Sequence, residues 1–172
     1  IEKIVDTIVV VAINNQYAGY ITMGDEIKED AVQAVKDMHS LNIKTVMLSG
    51  DKQSVVNEVA KKVGIDEAFG DLLPEGKVEK VQQLKNEGKH IAFVGDGVND
   101  APVVALADAG IAMGGLGSDA TIETADVVIQ NDQPHKIVSA IKIGKITRNI
   151  VWQNIIMAMT VKVFVLALGA GG

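Results

Sequence analysis

Val94-Gly95-Asp96-Gly97-Val98-Asn99-Asp100-Ala101-Pro102 is the stretch that decides how this chain is read. The apolar residues Ile91–Val94 before it suit a short buried strand, and Pro102–Asp108 after it suit a short helix. A loop between strand and helix lies at the strand's carboxyl end, where open α/β sheets place ligands. Gly95 and Gly97 let the backbone turn tightly and approach a bound group. Asp96 and Asp100 offer two hard carboxylates, a donor set that suits Mg2+. Asn99 adds a neutral oxygen, or a hydrogen bond to a phosphoryl oxygen. The same aspartates could instead cap a turn and a helix; the whole nine-residue string carries more information than its GDG core.

Two other segments fit the same chemistry. Leu48-Ser49-Gly50-Asp51 ends a predicted strand over Thr45–Leu48 and presents a hydroxyl and backbone N–H groups. Pro74-Glu75-Gly76-Lys77 opens a predicted helix and brings an ammonium to its first turn. A transferring phosphoryl group calls for this set: Mg2+, a cation, a hydroxyl and amide donors. Taken singly, Ser49 could be a cap and Lys77 a solvated side chain.

Working outward, Ile8–Ile13 and Ala18–Met23 read as strands joined by a turn at Asn14-Asn15-Gln16. A helix is expected over about Lys28–Leu41, and another after Asp51, capped by it and stopped by Gly64. Further on come Ile111–Met113 as a strand, Ser118–Ala125 as a helix and Val127–Ile129 as a strand. The alternation of strand and helix predicts an α/β fold with a doubly wound parallel sheet over residues 1–132. The core palette agrees. Hydrophobic residues make up 48% of the chain and aromatics only 3%, so Val, Ile, Ala and Leu must fill the interior. There is no cysteine, which excludes disulfides and thiolate metal sites within the chain.

Charge divides the molecule. Residues 1–132 hold all 22 acids against 11 bases, a net −11, whereas everything from Gln133 onward holds five bases and no acid. The stretch 133–149, with Lys136, Lys142, Lys145 and Arg148, is expected to be a basic cytoplasmic helix or linker. Ile150–Gly172 is long and apolar enough to span a bilayer, with Trp152 as an interfacial anchor. This pattern points to a membrane surface; no aromatic-basic interleaving supports nucleic-acid binding. Lys162 falls in mid-span, where an ammonium is costly unless paired or hydrated. His39, His90 and His135 lie on unrelated elements, which suits surface or turn roles over metal ligation. The chain opens at Ile1 without Met and closes on apolar sequence, so both ends are expected to be cuts within a longer protein; no signal or transit peptide is visible.

Ser49, Lys77 and the Asp96/Asp100 pair resemble motifs two, three and four of the haloacid-dehalogenase-like superfamily, and GDGVNDAP is similar to the form in P-type ATPases. Ser49-Gly50-Asp51-Lys52 departs from their commoner TGDN but resembles the heavy-metal branch. Ala112–Ala120 followed by Glu123-Thr124-Ala125-Asp126-Val127-Val128 looks like the zinc/cadmium/lead group. The resemblance implies part of an ATP-driven efflux pump for Zn2+, Cd2+ or Pb2+. It places Mg2+ on Asp96 and Asp100, ATP mainly on a nucleotide-binding domain absent here, and Lys162 near the ion pathway. Copper is disfavoured by Lys162. The implied partners are the rest of the ATPase chain, the membrane and the transported cation. The implied location is the cell membrane, with residues 1–149 cytoplasmic.

In that family the phosphorylated aspartate sits in DKTGT, a string that 1–172 does not contain. Its strand is central in the family's sheet, between those bearing motifs two and four. The strands ending at Leu48 and Val94 are therefore expected either to pair directly or to leave a gap filled by another chain. Without a covalent acceptor the chain alone should be inactive. A non-catalytic, membrane-anchored remnant is the alternative reading. A soluble phosphatase of the same superfamily would need its own nucleophile motif, which Ile8–Ile13 does not supply.

Overall fold

The computed structural model describes residues 7–23, 26–95, 98–114 and 119–172. An antiparallel hairpin comes first, β1 (Thr7–Ile13) with β2 (Gln16–Met23). Asn14 and Asn15 both take positive φ, 51° and 58°, as a two-residue turn matched to strand twist requires. Gln16, expected in the turn, instead pairs with Ile13. The hairpin is apolar on both faces: Val9 and Ile21 are exposed on one, Val10 and Tyr20 on the other.

The body alternates helix and strand. α1 (Ala31–Ser40) leads to β3 (Val46–Leu48), α2 (Gln53–Val63), β4 (Glu67–Phe69) and α3 (Pro74–Asn86). β5 (Ala92–Gly95), a 3-10 turn (Val98–Asp100) and α4 (Ala101–Leu106) follow. The sequence then runs through β6 (Ala109–Met113), α5 (Asp119–Thr124), β7 (Val127–Ile129) and α6 (His135–Gly171). Gly64 ends α2 in the left-handed conformation, φ 90°, as expected. Asp51 does not cap α2. Its carboxylate accepts from Ser49 Oγ, and the first amide of the helix, Gln53 N, donates to Asp71 Oδ2 at 3.0 Å.

The strands of the body, β3 to β7, are parallel, in agreement with the expected α/β class, but they form two separate ladders. β3 pairs with β4, and β5-β6-β7 form the other sheet. Among the described residues no strand pairing joins β3 to β5, so the two strands do not pair directly. Helices bridge the ladders. Met38 of α1 packs on a cluster of Ile111, Met113, Ile129 and Ile137, which draws on β6, β7 and the first turns of α6. α6 runs without interruption for 37 residues, through the basic stretch and the apolar one. It is one helix long and apolar enough to cross a membrane, and its apolar window is fully exposed.

A polar knot fixes the amino-terminal ends of β3 and β4. Asp66 Oδ2 accepts from Thr45 N at 2.7 Å, Thr45 Oγ1 at 2.8 Å and His39 Nε2 at 3.0 Å. Donation by the Thr45 amide, then by its hydroxyl, holds the Asp66 carboxyl down to about 2, below the usual carboxylate range. A depressed folded-state pKa contributes stability that is complete above the unfolded value and is lost as pH falls through the folded one. The Asp66→Ala variant should therefore melt below wild type at neutral pH, and the gap should close between about pH 4 and pH 2. Thermal melts across that range check this.

Candidate functional site

Two sets of contacts connect the expected site segments: one ties the Ser49 loop to the loop after β4, the other ties Lys77 of α3 to Asp100. Ser49 follows β3 directly, and its N–H extends the ladder to Phe69 O at 2.9 Å. Its carbonyl accepts from Leu72 N at 3.1 Å, and Asp51 O accepts from Asp71 N at 2.7 Å. The Ser49 loop is thus stapled to the loop after β4. Ser49 Oγ donates to Asp51 Oδ2 at 2.8 Å and accepts from Asp51 N at 3.2 Å, so the hydroxyl is oriented within its own loop. Gly50 lies at the turn, where a Cβ would stand 3.4 Å from Leu72 O.

The stapled loop runs straight into α3. Pro74 occupies the first turn, where its missing N–H costs nothing, and Lys77 N donates to Leu73 O at 3.1 Å. Lys77 Nζ then donates to Asp100 Oδ1 at 2.8 Å. Both side chains are largely withdrawn from solvent, 18% and 13% exposed. Asp100 stands at the N-cap position of α4, yet its carboxylate makes no cap bond to that helix. The plain capping role is therefore excluded for Asp100; its charge is directed at Lys77. Gly95 makes this possible. A Cβ there would lie 2.7 Å from Asp100 Cβ and 3.2 Å from its Oδ2, so the carboxylate can fold back over the end of β5 only because the strand ends in glycine.

Other expected site residues fall elsewhere. Asn99 is exposed on the 3-10 turn. Asp96 and Gly97 lie outside the described residues, as do Gly115–Ser118 of the segment resembling the zinc/cadmium/lead group. Lys162 is exposed on α6, about 40 Å along the helix from its start at 1.5 Å per residue. Among the described residues no group of three or more His, Asp or Glu side chains could hold a metal ion. What the described residues do supply is one hard carboxylate, Asp100, packed over Gly95 and paired with the Lys77 ammonium; a carboxylate is a ligand type that suits Mg2+.

Gln53 escaped the sequence reading. Its Oε1 accepts from Gly70 N at 2.6 Å and its Nε2 donates to Ala68 O at 3.1 Å, clamping the Ser49 loop to β4. These contacts cross 15 to 17 residues, and no spacing in the sequence announces them.

The family described as haloacid dehalogenase-like hydrolase matches residues 2–108. A zinc-transporting ATPase of Synechocystis is 53% identical over 169 residues, 96% of this chain and 23% of its own. A cadmium, zinc and cobalt-transporting ATPase of Bacillus subtilis is 54% identical over 170 residues, 96% of this chain and 24% of its own. The crystal structure of a zinc-transporting PIB-type ATPase in the E2.Pi state superposes with a TM-score of 0.76 at 36% identity, covering 87% of this chain and 24% of that one. The chain therefore spans about a quarter of the length of these curated relatives.

Removing one partner of a withdrawn ion pair strands the other charge. Lys77→Met should cost roughly 2 kcal/mol in urea unfolding of the detergent-solubilised chain. Gly95→Ala should destabilise as well, by pushing Asp100 off β5. In the double variant the losses should fall short of additive, because both act through one pair.

Proposed function

The chain belongs to the haloacid-dehalogenase-like hydrolase family, and from that footing we propose that it is the Mg-binding, phosphoryl-stabilising part of an ATP-driven pump exporting Zn2+, Cd2+ or Pb2+. The observation that carries the reading is the withdrawn Lys77–Asp100 pair, which joins the start of α3 to the start of α4 over the end of β5. A phosphoryl group bound beside that pair would meet the Lys77 ammonium, and the Ser49 hydroxyl and the amides of the Ser49 loop would complete its surroundings. The attacking carboxylate would come from a strand between β3 and β5, carrying the DKTGT aspartate, supplied by another part of the same longer protein. The two-faced apolar hairpin would likewise be covered by that protein's nucleotide-binding part.

Asp96 and Asp100 would hold Mg2+, with Asn99 beside them and Gly95 and Gly97 shaping the loop. Bound there, the ion neutralises charge on the phosphoryl oxygens. Lys77 would stabilise the same developing charge, and Ser49 would turn its hydroxyl from Asp51 to a phosphoryl oxygen. α6 would cross the cell membrane, leaving residues 1–149 in the cytoplasm, as the bases before Trp152 support. Lys162 would lie on the ion path as a fixed counter-charge that helps expel a divalent cation; its presence supports zinc or cadmium over copper. A second reading, a non-catalytic membrane-anchored chain, draws on the lack of DKTGT within 1–172.

The test is formation of an acid-stable phosphoenzyme from ATP and Mg2+. A protein carrying this chain with an upstream DKTGT segment should form it. Lys77→Met and Asp100→Asn should each slow turnover by about 100-fold or more, the scale of losing one charge-stabilising group. Unimpaired turnover in either variant would overturn the reading.

A further inference from the structure

α6 begins badly for a helix. Its N-cap residue is Pro134, which offers no side-chain acceptor, and its first turn contains no acid. A helix start leaves N–H groups without partners and carries a partial positive charge. The missing acceptor comes from 105 residues away. Asp30 Oδ2 accepts from His135 N at 3.0 Å and from His135 Nδ1 at 2.7 Å. Asp30 stands at the N-cap position of α1, but its carboxylate makes no cap bond to α1. The side chain best placed to start one helix starts the other. Two residues earlier, Lys28 Nζ donates to Asp132 O at 3.1 Å and pairs with the Asp132 carboxylate. Donation by the His135 amide, then by its ring, holds the Asp30 carboxyl below the usual range.

We infer that Asp30 is a positioning residue that fastens the root of α6 to the segment leading from the hairpin into α1. α6 is continuous for 37 residues, so a change of tilt at its root reaches its far end. A tilt of about 10° would move Lys162 by roughly 7 Å, given about 40 Å of helix between them. The joint therefore sets where the distal, apolar part of α6 lies relative to the phosphoryl-handling loops. This purpose rests on the pump reading; the joint itself does not.

The joint has a spectroscopic signature. A neutral His135 that donates from Nδ1 is held in the tautomer with Nε2 unprotonated. Nitrogen-15 spectra of the detergent-solubilised chain, above the imidazole titration, should show His135 as Nδ1–H. Asp30→Ala should return it to Nε2–H and speed exchange of the His135 amide by about 5-fold to 30-fold, the scale of a lost cap. Asp30→Asn, which keeps an acceptor oxygen, should preserve the tautomer. Spin labels at Lys36 and Lys145, in a chain with no native cysteine, should give one narrow distance in wild type and in Asp30→Asn, and a broad one in Asp30→Ala. The His39 signals report whether the fold survives. A wild-type His135 found as Nε2–H with a freely exchanging amide would overturn the inference, whatever the variants do. So would an Asp30→Ala chain with wild-type tautomer, exchange and distance. In the DKTGT-bearing protein, Asp30→Ala should lower metal-stimulated turnover while phosphoenzyme still forms; unchanged turnover would refute the positioning role. Failure of the pump reading would appear instead as no phosphoenzyme in wild type, with the His135 signature intact.

Discussion

A lysine at the start of α3 and an aspartate at the start of α4 meet at 2.8 Å across the bare end of β5, and most of the site geometry follows from that contact. Two groups so withdrawn from water are held there only if each satisfies the other. The pair fixes the first turn of α3 against the 3-10 turn. Because α3 continues directly from the loop stapled to Ser49, it also ties the carboxyl end of the β3 ladder to that of the β5 ladder. Gly95 is the enabling residue, since any side chain there would occupy the space of the Asp100 carboxylate.

Among the described residues β3 and β5 each have a strand partner on one side only. In a parallel strand, alternate residues direct both N–H and C=O to the same edge. Ser49 faces β4 and Ile91 faces the β6 side, so the amides of Val46 and Leu48 on one strand, and Ala92 and Val94 on the other, face away from their partners. Open inner edges are templates for another strand. Helix packing links the ladders: Met38 of α1 reaches the cluster built from β6, β7 and α6.

Legibility in the sequence followed the range of the interactions. The hairpin turn, the glycine stop of α2 and the proline start of α3 are decided within a few residues, and they were readable. β4 was not expected. Its Glu67-Ala68-Phe69 is short and lacks apolar alternation, and it is a strand because Asp66 and the β3 ladder hold it. Asp51 was expected to cap α2, but the nearer Ser49 hydroxyl engages its carboxylate and Asp71 caps the helix from across a loop. Asp30 with His135 lay further out of reach, since neither residue's neighbours hint at a partner 105 positions away. The basic stretch and the apolar one form a single helix because nothing between His135 and Gly171 breaks helical backbone: Gly144 costs about 1 kcal/mol and no proline intervenes.

If a DKTGT-bearing strand completes the proposed site, it pairs with the edges of β3 and β5 that their partners leave free. Amide hydrogen exchange at Val46, Leu48, Ala92 and Val94 tests it most directly. The account predicts fast exchange at these four amides in the chain alone, beside slow exchange at Ser49, and protection at all four when the DKTGT-bearing strand is supplied. Strong protection in the chain alone, or no gain when that strand is added, would contradict it.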